Sequence, residues 1–387
     1  MHQMQMTIEE TEKFLASAVE FSETSIKQRA GEFDRNGALP KEIIEGLAQR
    51  GILGATIPKE YGGIGLDPLS YGRLTEIIGK ACCSSRTLLT VHASLVCETL
   101  LKLANSAQKK RYLPKLAHGK MLGCFALSEP ENGSDASSIN MRYECKENKF
   151  ILNGKKKWVS FGGLADLFIV IAKEGDTISA FLVEKTIPGI NTKPIVGLLG
   201  NRATHMAEIT FTDVEVPKEN VLGKIGTGFT FVANTALFYG RYSIAWAGVA
   251  IAQAALEEMS KYAIFREQFG HKIGQYQLIK GLIADAVTQV HAARALCQKA
   301  GEYRVSNDDQ AIMETNIAKY FTSKVAVQVS SDAVQVFGGN GCWDQYPVER
   351  LYRESKILEI IEGTSQIQQI LIGDHGMKKY SRQAVYT

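Results

Sequence analysis

The sequence predicts an α+β protein in which a β-rich segment lies between two helical segments. Apolar residues recur at steps of three and four before residue 120 and again after residue 226, which is the spacing of a buried helix face. From residue 121 the pattern changes to short apolar or alternating runs separated by turn residues, as in strands. We therefore predict an N-terminal helical domain at 1–120, a middle β domain at 121–228 and a C-terminal helical domain at 229–387.

The N-terminal segment predicts several helices joined by loops. The apolar spacing places these helices at Thr7–Phe21, Pro40–Gly51, Tyr71–Lys80, Thr87–Asn105 and Ala107–Leu116. Residues 57–65 are rich in glycine and predict a loop. Because these glycines follow no strand of a βαβ unit, they do not match a dinucleotide-binding fingerprint.

The middle segment predicts a compact β domain. The alternating and apolar runs place strands at Leu122–Leu127, Tyr143–Cys145, Lys149–Leu152, Leu167–Ala172, Ile178–Glu184 and Glu208–Val216. The pairs Asn153-Gly154 and Pro188-Gly189 are typical of turns between such strands.

The C-terminal segment predicts long helices with short connections, and such helices pack as a bundle. One apolar stripe consists of Ile244, Gly248, Ile251, Ala255, Met259 and Tyr262. A second stripe consists of Ile279, Ile283, Val287, Val290 and Ala293. Both repeat with the period of an amphipathic helix.

Composition and charge narrow the class of protein. The chain has 387 residues, of which 45% are hydrophobic and 22% charged, as in ordinary globular proteins. A formal net charge of +3 is too small to indicate nucleic acid or an anionic membrane as a general partner. No signal-type stretch opens the sequence and no run approaches membrane-spanning length, so we expect a cytoplasmic protein.

The cysteines favour neither a disulfide framework nor a zinc site. The chain has seven, which is an odd number, and they form no CxxC pair. No histidines stand near them at the spacing of zinc ligands. We expect reduced thiols and no bound metal.

Glu362 lies in an apolar helical run that stops at Gly363 and restarts at once. Gly363 has the form of a helix C-terminal glycine, and Ser365 with Gln368 fits a capping box that opens the next helix. A break between helices leaves backbone donors and acceptors unpaired, which suits a ligand and a carboxylate of adjusted basicity. The same residues also fit a surface glutamate beside a turn.

Five separated segments decide between these interpretations, because together they resemble the acyl-CoA dehydrogenase family in order and spacing. The segments are Leu127–Asp135 (LSEPENGSD), Lys157–Ser160 (KWVS), Arg266–Gly270 (REQFG), Gln335–Gly339 (QVFGG) and Glu362–Thr364 (EGT). The resemblance implies a helical N-terminal domain, a middle β-barrel, a C-terminal four-helix bundle and an FAD cofactor. It also implies a homotetramer or homodimer.

The resemblance implies the desaturation of an acyl thioester. Glu362 matches the base that removes the proton next to the thioester carbonyl, while the β-hydrogen passes to flavin as hydride. The backbone N–H of Glu362 matches a donor to the carbonyl oxygen. Ser134, Arg241 and Gly363 match substrate contacts.

The resemblance also implies the residues that contact FAD. Those matching the flavin ring region are Phe125, Leu127, Ser128, Trp158 and Ser160. Those matching the pyrophosphate, the adenine and neighbouring contacts are Arg266, Gln268, Phe269, Gln277, Gln335, Gly338, Gly339, Thr364 and Gln366. Taken singly, several of these residues fit plainer roles: Ser128 an ordinary turn, Trp158 a core position and Arg241 a surface ion pair.

The chain departs from the family pattern near the acyl group. Ile361 stands where tyrosine is common, Cys342 replaces a loop aromatic, and Phe238 takes a position that is often polar in members that bind coenzyme A. Three segments are more similar to a subgroup of polyketide and mixed peptide-polyketide pathways: Tyr239–Ala247, His291–Cys297 and Glu359–Thr364. That subgroup oxidises hydroxyacyl or aminoacyl groups carried on an acyl carrier protein and makes unusual malonyl-type extender units, so the resemblance implies a short acyl group on such a carrier.

A carrier-protein substrate would need a basic surface near the channel mouth. Lys155, Lys156 and Lys157 are one candidate, although a lysine run also fits a solvated turn. The alternative substrate is a short- or medium-chain acyl-CoA.

Less favoured alternatives are a flavin monooxygenase or oxidase and a non-catalytic flavoprotein on the same scaffold. Relatives that are monooxygenases or oxidases generally lack a glutamate at the position of Glu362. Non-catalytic relatives that bind nucleic acid carry extra C-terminal length and a strongly basic face, and this sequence shows neither feature. The electron acceptor is either an electron-transfer flavoprotein or oxygen.

Overall fold

A computed structural model describes residues 6–381 of the chain. It confirms the predicted α+β fold, in which helices come first, a curled sheet follows and helices return. The outermost residues of the predicted first and last domains, 1–5 and 382–387, lie outside the described residues. The domain boundaries after residues 120 and 228 stay predictions.

Contacts within the described chain define two compact units. The sheet unit comprises residues up to 26, 32–67 and 84–240. The helical unit comprises residues 27–31, 68–83 and those from 241 onward.

The N-terminal helices follow the predicted apolar spacing except for the one at Ala30–Asn36, which was not predicted. They are α1 (Ile8–Phe21), α2 (Ala30–Asn36), α3 (Lys41–Gln49), α4 (Pro68–Ala81), α5 (Cys83–Leu89), α6 (Glu98–Leu103) and α7 (Ser106–Ala117). Thr7 caps α1, since its hydroxyl accepts from the Glu10 amide and the Glu10 carboxylate accepts from the Thr7 amide. Residues 90–97 form a fully buried π-helical turn inside the helix predicted at residues 87–105.

The sheet unit contains a seven-stranded sheet. Its strands are β1 (Gly123–Ala126), β2 (Arg142–Lys146), β3 (Lys149–Val159), β4 (Leu167–Glu174), β5 (Thr177–Glu184), β6 (Ile190–Pro194) and β7 (Ala207–Pro217). They pair in the order β1-β4-β2-β3-β7-β6, and β5 pairs with β4. The pairs β1–β4 and β2–β4 are parallel, and the others in this sheet are antiparallel.

The predicted turn at Asn153-Gly154 is wrong, because β3 continues through it to Val159. The pairing of β3 with β7 shifts there: Leu152 pairs with Val214, but Gly154 pairs with Phe211. The extra residue belongs to β7, where Asp213 has a φ of 50° and exchanges hydrogen bonds with the Asn153 side chain. The asparagine thus supports a bulge instead of a hairpin turn.

The C-terminal helices are α8 (Asn234–Phe265), α9 (Gln277–Val305), α10 (Gln310–Phe337), α11 (Pro347–Leu358) and α12 (Ser365–Ser381). A short hairpin, β8 (Glu267–Gln268) with β9 (His271–Lys272), connects α8 to α9. The predicted α8 stripe lies in the core of the helical unit. The prediction that Val287 belongs to the buried stripe of α9 is wrong, since Val287 is 40% exposed while the neighbouring Ala286 is fully buried. Among the described residues, no helix has the length and apolar content needed to cross a bilayer.

Candidate active site

Glu362 lies in the linker between α11 and α12. Helix α11 ends at Leu358, so Gly363 does not close it directly as predicted. Instead a short irregular segment follows, in which Glu362 has a φ of 55° and Gly363 a φ of 92°. A left-handed backbone is uncommon outside glycine and costs free energy unless the surroundings hold it. The linker therefore needs external support.

The predicted cap of α12 is shifted by one residue. The amide of Ile367 donates to the Thr364 hydroxyl at 3.3 Å, and the amide of Gln368 donates to the Thr364 carbonyl. Thr364 is thus the N-cap, whereas the buried Ser365 hydroxyl has no hydrogen-bond partner among residues 6–381. The capping box predicted for Ser365 and Gln368 is wrong, because the chain enters the helix one residue earlier.

Two cationic side chains, the half-buried Arg241 and the fully buried Lys319, support the linker. The guanidinium of Arg241 donates from Nε to the Glu362 carbonyl at 3.0 Å and from Nη1 to Asn316 Oδ1 at 3.2 Å. The ammonium of Lys319, which is fully buried, donates to the Gly363 carbonyl at 2.8 Å. Charged donors make the stronger hydrogen bonds, so the two consecutive carbonyls are firmly oriented.

Helix α10 supplies one face of this support. Asn316, Lys319 and Ser323 follow each other at helical spacing, and the Ser323 hydroxyl contacts the Leu358 carbonyl at 3.1 Å. Sequence reasoning missed Asn316 and Lys319. The signal that could have found them is a run of polar residues along the apolar side of a predicted core helix.

The charges at this linker influence one another. Burial lowers the pKa of Lys319 to about 8, although the negative charge of Glu362 acts in the opposite direction. Burial also lowers the pKa of Arg241, and again the charge of Glu362 opposes the shift. A carboxylate, a guanidinium and an ammonium thus share one partly dry environment, which is typical of functional sites.

In the sheet unit, the predicted residues Ser128 and Trp158 are brought together. The amide of Lys157 donates to the Ser128 carbonyl at 2.9 Å. Between Lys156 and Val159, β3 carries one residue more than β7, and Trp158 takes a left-handed φ of 62° at this bulge. Without the bulge, alternation would turn the Trp158 ring inward, but the ring is 51% exposed.

The other predicted residues of this region are nearby in the sheet. Phe125 is half-buried in β1, and Leu127 is buried just after it. Ser160 follows the bulge, and its carbonyl accepts from the Cys124 thiol at 3.0 Å. Ser134 is exposed in the loop after β1.

The predicted basic patch at residues 155–157 is wrong. Lys156 is fully buried and its ammonium lies 2.7 Å from a carboxylate oxygen of Glu129. The reason is the strand period, since Phe150 and Leu152 point inward and Lys156 follows them at even spacing. Of the three lysines, Lys155 is exposed and Lys157 is half-buried.

The residues predicted for the pyrophosphate and adenine lie on the β8–β9 hairpin and the start of α9. Arg266, Gln268, Phe269 and Gln277 are all exposed, and the Phe269 side chain is 93% exposed with a left-handed φ of 53°. The Tyr276 hydroxyl donates to the Gln268 carbonyl at 2.7 Å and braces the hairpin.

Helix α10 ends at the predicted Gln335–Gly339 segment. Gly338 donates its amide to the Gln335 carbonyl and has a φ of 61° with a ψ of −139°, a region essentially restricted to glycine. Apart from its immediate chain surroundings, no atom of the part of the chain that the structure describes lies within 4 Å of a Cβ added at Gly338 or Gly339, so the backbone here can approach another group closely. Gln366 is exposed in the first turn of α12.

Comparison with known proteins identifies the family. Family models match the acyl-CoA dehydrogenase N-terminal domain at residues 8–120, the middle domain at 124–214 and the C-terminal domain at 226–377. The chain therefore belongs to the acyl-CoA dehydrogenase family. It is an oxidoreductase of a family whose members are FAD flavoproteins.

Individual relatives agree over nearly the whole chain. An acyl-CoA dehydrogenase of Bacillus subtilis is 37% identical over 92% of this chain and 95% of that protein. A short-chain specific acyl-CoA dehydrogenase of Clostridium acetobutylicum is 35% identical over 91% and 94%. The solved butyryl-CoA dehydrogenase of Megasphaera elsdenii is 34% identical, with a TM-score of 0.92 over 96% of this chain and 99% of that chain.

Two further similar structures are of proteins whose descriptions mention an acyl carrier protein or a polyketide. One is described as the prolyl acyl carrier protein oxidase AnaB, at 26% identity and a TM-score of 0.90 over 96% of this chain and 99% of that chain. The other is FkbI, for biosynthesis of a methoxymalonyl extender unit, at 29% identity and a TM-score of 0.86 over 94% and 99%.

The chemistry of the predicted contacts fits FAD. The half-exposed Trp158 ring offers a flat apolar surface beside the Ser128 and Ser160 segments, whose hydroxyls and amides can bond the polar edge of a flavin. The exposed guanidinium of Arg266 can pair with a pyrophosphate, and the open backbone at Gly338 admits close approach.

Proposed function

We propose that this chain is an FAD-dependent dehydrogenase of short acyl thioesters in which Glu362 removes the α-proton. The observation that carries the proposal is the support of the Glu362–Gly363 segment, where Arg241 and Lys319 donate to consecutive carbonyls. A left-handed glutamate held by two cations is a costly arrangement. Fold maintenance alone gives no reason for it, whereas a base that must reach one C–H does.

The residues at the linker have distinct parts in this proposal. The Glu362 carboxylate accepts the α-proton, and a positioned base of this kind contributes on the order of 10²–10⁴-fold in rate. The Glu362 N–H is the proposed donor to the thioester carbonyl, and Gly363, Arg241 and Ser134 are proposed substrate contacts. Arg241 and Lys319 orient the backbone that presents the carboxylate.

FAD, when bound, accepts the β-hydrogen as hydride. We propose that Phe125, Leu127, Ser128, Trp158 and Ser160 contact its ring region. The proposed contacts to its remaining parts are Arg266, Gln268, Phe269, Gln277, Gln335, Gly338, Gly339, Thr364 and Gln366. The exposure of Phe269 and of its hairpin supports a contact made outside this chain's own core.

We propose further that the acyl group is carried on an acyl carrier protein. The similarity to AnaB and FkbI over almost the whole chain supports this, as does Phe238 at a position that is often polar in coenzyme A enzymes. The buried state of Lys156 removes the basic-patch argument, so the carrier rests on these two observations. Coenzyme A, the carrier used by the short-chain relatives, is the competing outcome of the test.

The experiment is anaerobic bleaching of the purified flavoprotein by matched thioesters. Butyryl-CoA is compared with the same butyryl group on the phosphopantetheine arm of an acyl carrier protein, at equal concentrations. Faster bleaching by the carrier-protein thioester supports both proposals. Equal or faster bleaching by butyryl-CoA contradicts the carrier proposal alone, and no bleaching by any of a panel of short acyl thioesters contradicts the dehydrogenase proposal.

We propose a homotetramer or homodimer, with either an electron-transfer flavoprotein or oxygen as acceptor. Three apolar side chains around the β8–β9 hairpin support assembly, since Ile264, Phe265 and Leu278 are each at least 75% exposed. Sedimentation of the holoprotein tests the oligomer. Reoxidation of bleached enzyme by air, compared with reoxidation by a purified electron-transfer flavoprotein, identifies the acceptor.

A further inference from the structure

The buried ion pair between Glu129 and Lys156 has no part in the chemistry proposed above. Both side chains lie within the sheet unit, with Glu129 3% exposed and Lys156 fully buried. Their closest oxygen and nitrogen atoms are 2.7 Å apart. A buried ion pair contributes little net stability compared with a well-packed apolar pair, because both charges lose their hydration.

The hydrogen bonds of this pair connect three parts of the chain. The Lys156 ammonium also donates to the Leu127 carbonyl at 2.9 Å, at the end of β1. The Glu129 carboxylate accepts from the amides of Asn140 and Met141, which close the loop that follows. The pair therefore fixes both ends of the irregular loop between β1 and β2, and ties that loop to β3.

The proposed flavin contacts stand beside these fixed points. Ser128 lies between Leu127 and Glu129, and its carbonyl accepts from the amide of Lys157. Trp158 follows two residues after Lys156, at the bulge that turns its ring outward. Any shift of the pair moves the Ser128 turn and the start of the bulge together.

We propose that Glu129 and Lys156 are positioning residues that set Ser128 and Trp158 at the spacing a flavin ring needs. The inference rests on the proposed FAD site, but it concerns the buried side chains that hold the contact residues in place. Glu129 and Lys156 are buried and are not themselves proposed flavin contacts, so they influence FAD binding only through the positions of Ser128 and Trp158. The predicted consequence of removing the pair is weaker and differently shaped flavin binding in a protein that remains folded.

The test replaces the pair with two apolar side chains of similar length, Glu129→Met with Lys156→Met. The matched control is Lys149→Met with Glu215→Met. It removes an exposed ion pair whose nitrogen and oxygen are 2.6 Å apart and whose lysine, like Lys156, lies on β3. Each holoprotein is assayed for thermal unfolding, the Kd of FAD and the flavin absorption spectrum. We expect the double variant to raise the Kd of FAD on the order of 10-fold and to shift the flavin bands, since small displacements of contact groups have effects of this size.

The control pair should leave the Kd and the spectrum as in the wild type. A Glu129–Lys156 double variant with a changed melting temperature but a wild-type Kd and spectrum would overturn the inference, because the pair would then serve the fold alone. If that variant does not fold, Lys156→Arg takes its place, since it keeps the charge and changes the reach to Glu129. A raised Kd in Lys156→Arg supports the inference and a wild-type Kd contradicts it.

Failure of this inference is distinguishable from failure of the proposed function. A wild-type chain that takes up no FAD contradicts the function, whatever the variants do. A wild-type chain that binds FAD, together with variants that bind it equally, contradicts only the positioning role.

Discussion

The linker at Glu362 and the loop after β1 are both irregular segments held by a buried lysine, but the two lysines act differently. Lys319 donates to a backbone carbonyl, that of Gly363. Lys156 also donates to a backbone carbonyl, that of Leu127, but in addition it forms a direct ion pair with the Glu129 carboxylate. The first arrangement orients the main chain around an acidic side chain, whereas the second uses the acidic side chain itself as the anchor.

The difference matters for the proposed base, because a carboxylate that serves as an anchor, as Glu129 does, is not available for proton transfer. Burial acts to raise the pKa of Glu129, but the Lys156 ammonium and the backbone amides hold it below its usual value. Such a carboxylate is a poor base, and its oxygens are occupied by the donors described above. At the linker, Arg241 and Lys319 direct hydrogen bonds at the carbonyls of Glu362 and Gly363, which holds the backbone that carries the Glu362 carboxylate.

The largest effect is expected for Glu362→Gln, which keeps the shape of the side chain and removes its basicity. The variant should bind FAD as the wild type does but lose thioester-dependent flavin bleaching by at least about 10²–10⁴-fold, since proton transfer is its proposed contribution. Stopped-flow absorbance measures the bleaching rate. The control is Glu359→Gln, an acid of the same linker whose side chain pairs with Lys356. Comparable losses in both variants would contradict the assignment.

A smaller loss of rate is expected for Lys319→Met. The apolar side chain fills the buried space, but the Gly363 carbonyl loses its charged donor, which costs about 1–3 kcal/mol when the acceptor stays buried. We expect bleaching to slow by about 10-fold while FAD binding is retained. Lys324→Met, an exposed lysine on the same helix, is the control. A wild-type rate in Lys319→Met would mean that the linker holds its conformation without this bond.

Gly363→Ala should lower stability by about 1–3 kcal/mol, because a residue with a Cβ is strained at a φ of 92°. The added Cβ would also lie 3.0 Å from the side-chain amide nitrogen of Gln368 and 3.4 Å from a guanidinium nitrogen of Arg241. Urea unfolding gives the change. Gly281→Ala, at an exposed helical position with open space around the Cβ, should instead stabilise by about 0.5–1 kcal/mol. Equal effects of the two substitutions would contradict the strain.

The smallest effect concerns pH. The pKa of Lys319 is about 8 in the folded protein and returns to its usual, higher value on unfolding. Above pH 8 the unfolded chain therefore binds more protons at this lysine, so stability gains a contribution that grows with pH until the unfolded lysine also titrates. Urea unfolding at pH 8 and pH 10 should reveal a smaller gain in Lys319→Met than in the wild type. An identical gain in both proteins would contradict the shifted pKa.

Much of the architecture could be predicted because it depends on local pattern. The apolar runs of β4 and β5 and the stripe of α8 were sufficient to place these elements. Strand β6 was missed, since Ile190–Pro194 has few apolar residues and lies at the edge of the sheet, where little burial is required. The bulge opposite Asn153 was interpreted as a turn because the same residue type serves both.

The sites were less accessible from sequence. The break at Glu362 could be predicted from Gly363, but its support could not, since Lys319 reaches Gly363 across 44 residues of chain. The inward position of Lys156 could have been predicted from the alternation of the strand, since Phe150 and Leu152 lie on the same face. Its partner Glu129 could not, because it lies in a loop without a regular repeat of apolar residues. The contacts that hold both segments are tertiary, and their roles toward FAD and substrate stay predictions.

The most direct test of the central claim, that Glu362 removes the proton next to the thioester carbonyl, is hydrogen exchange at that carbon. The protein is incubated in deuterated buffer with a short acyl thioester of the preferred carrier, without an electron acceptor, and deuterium uptake is followed by mass spectrometry. The account predicts enzyme-dependent uptake at the α-carbon with the wild type and none above background with Glu362→Gln. Uptake at the wild-type rate in that variant would contradict it.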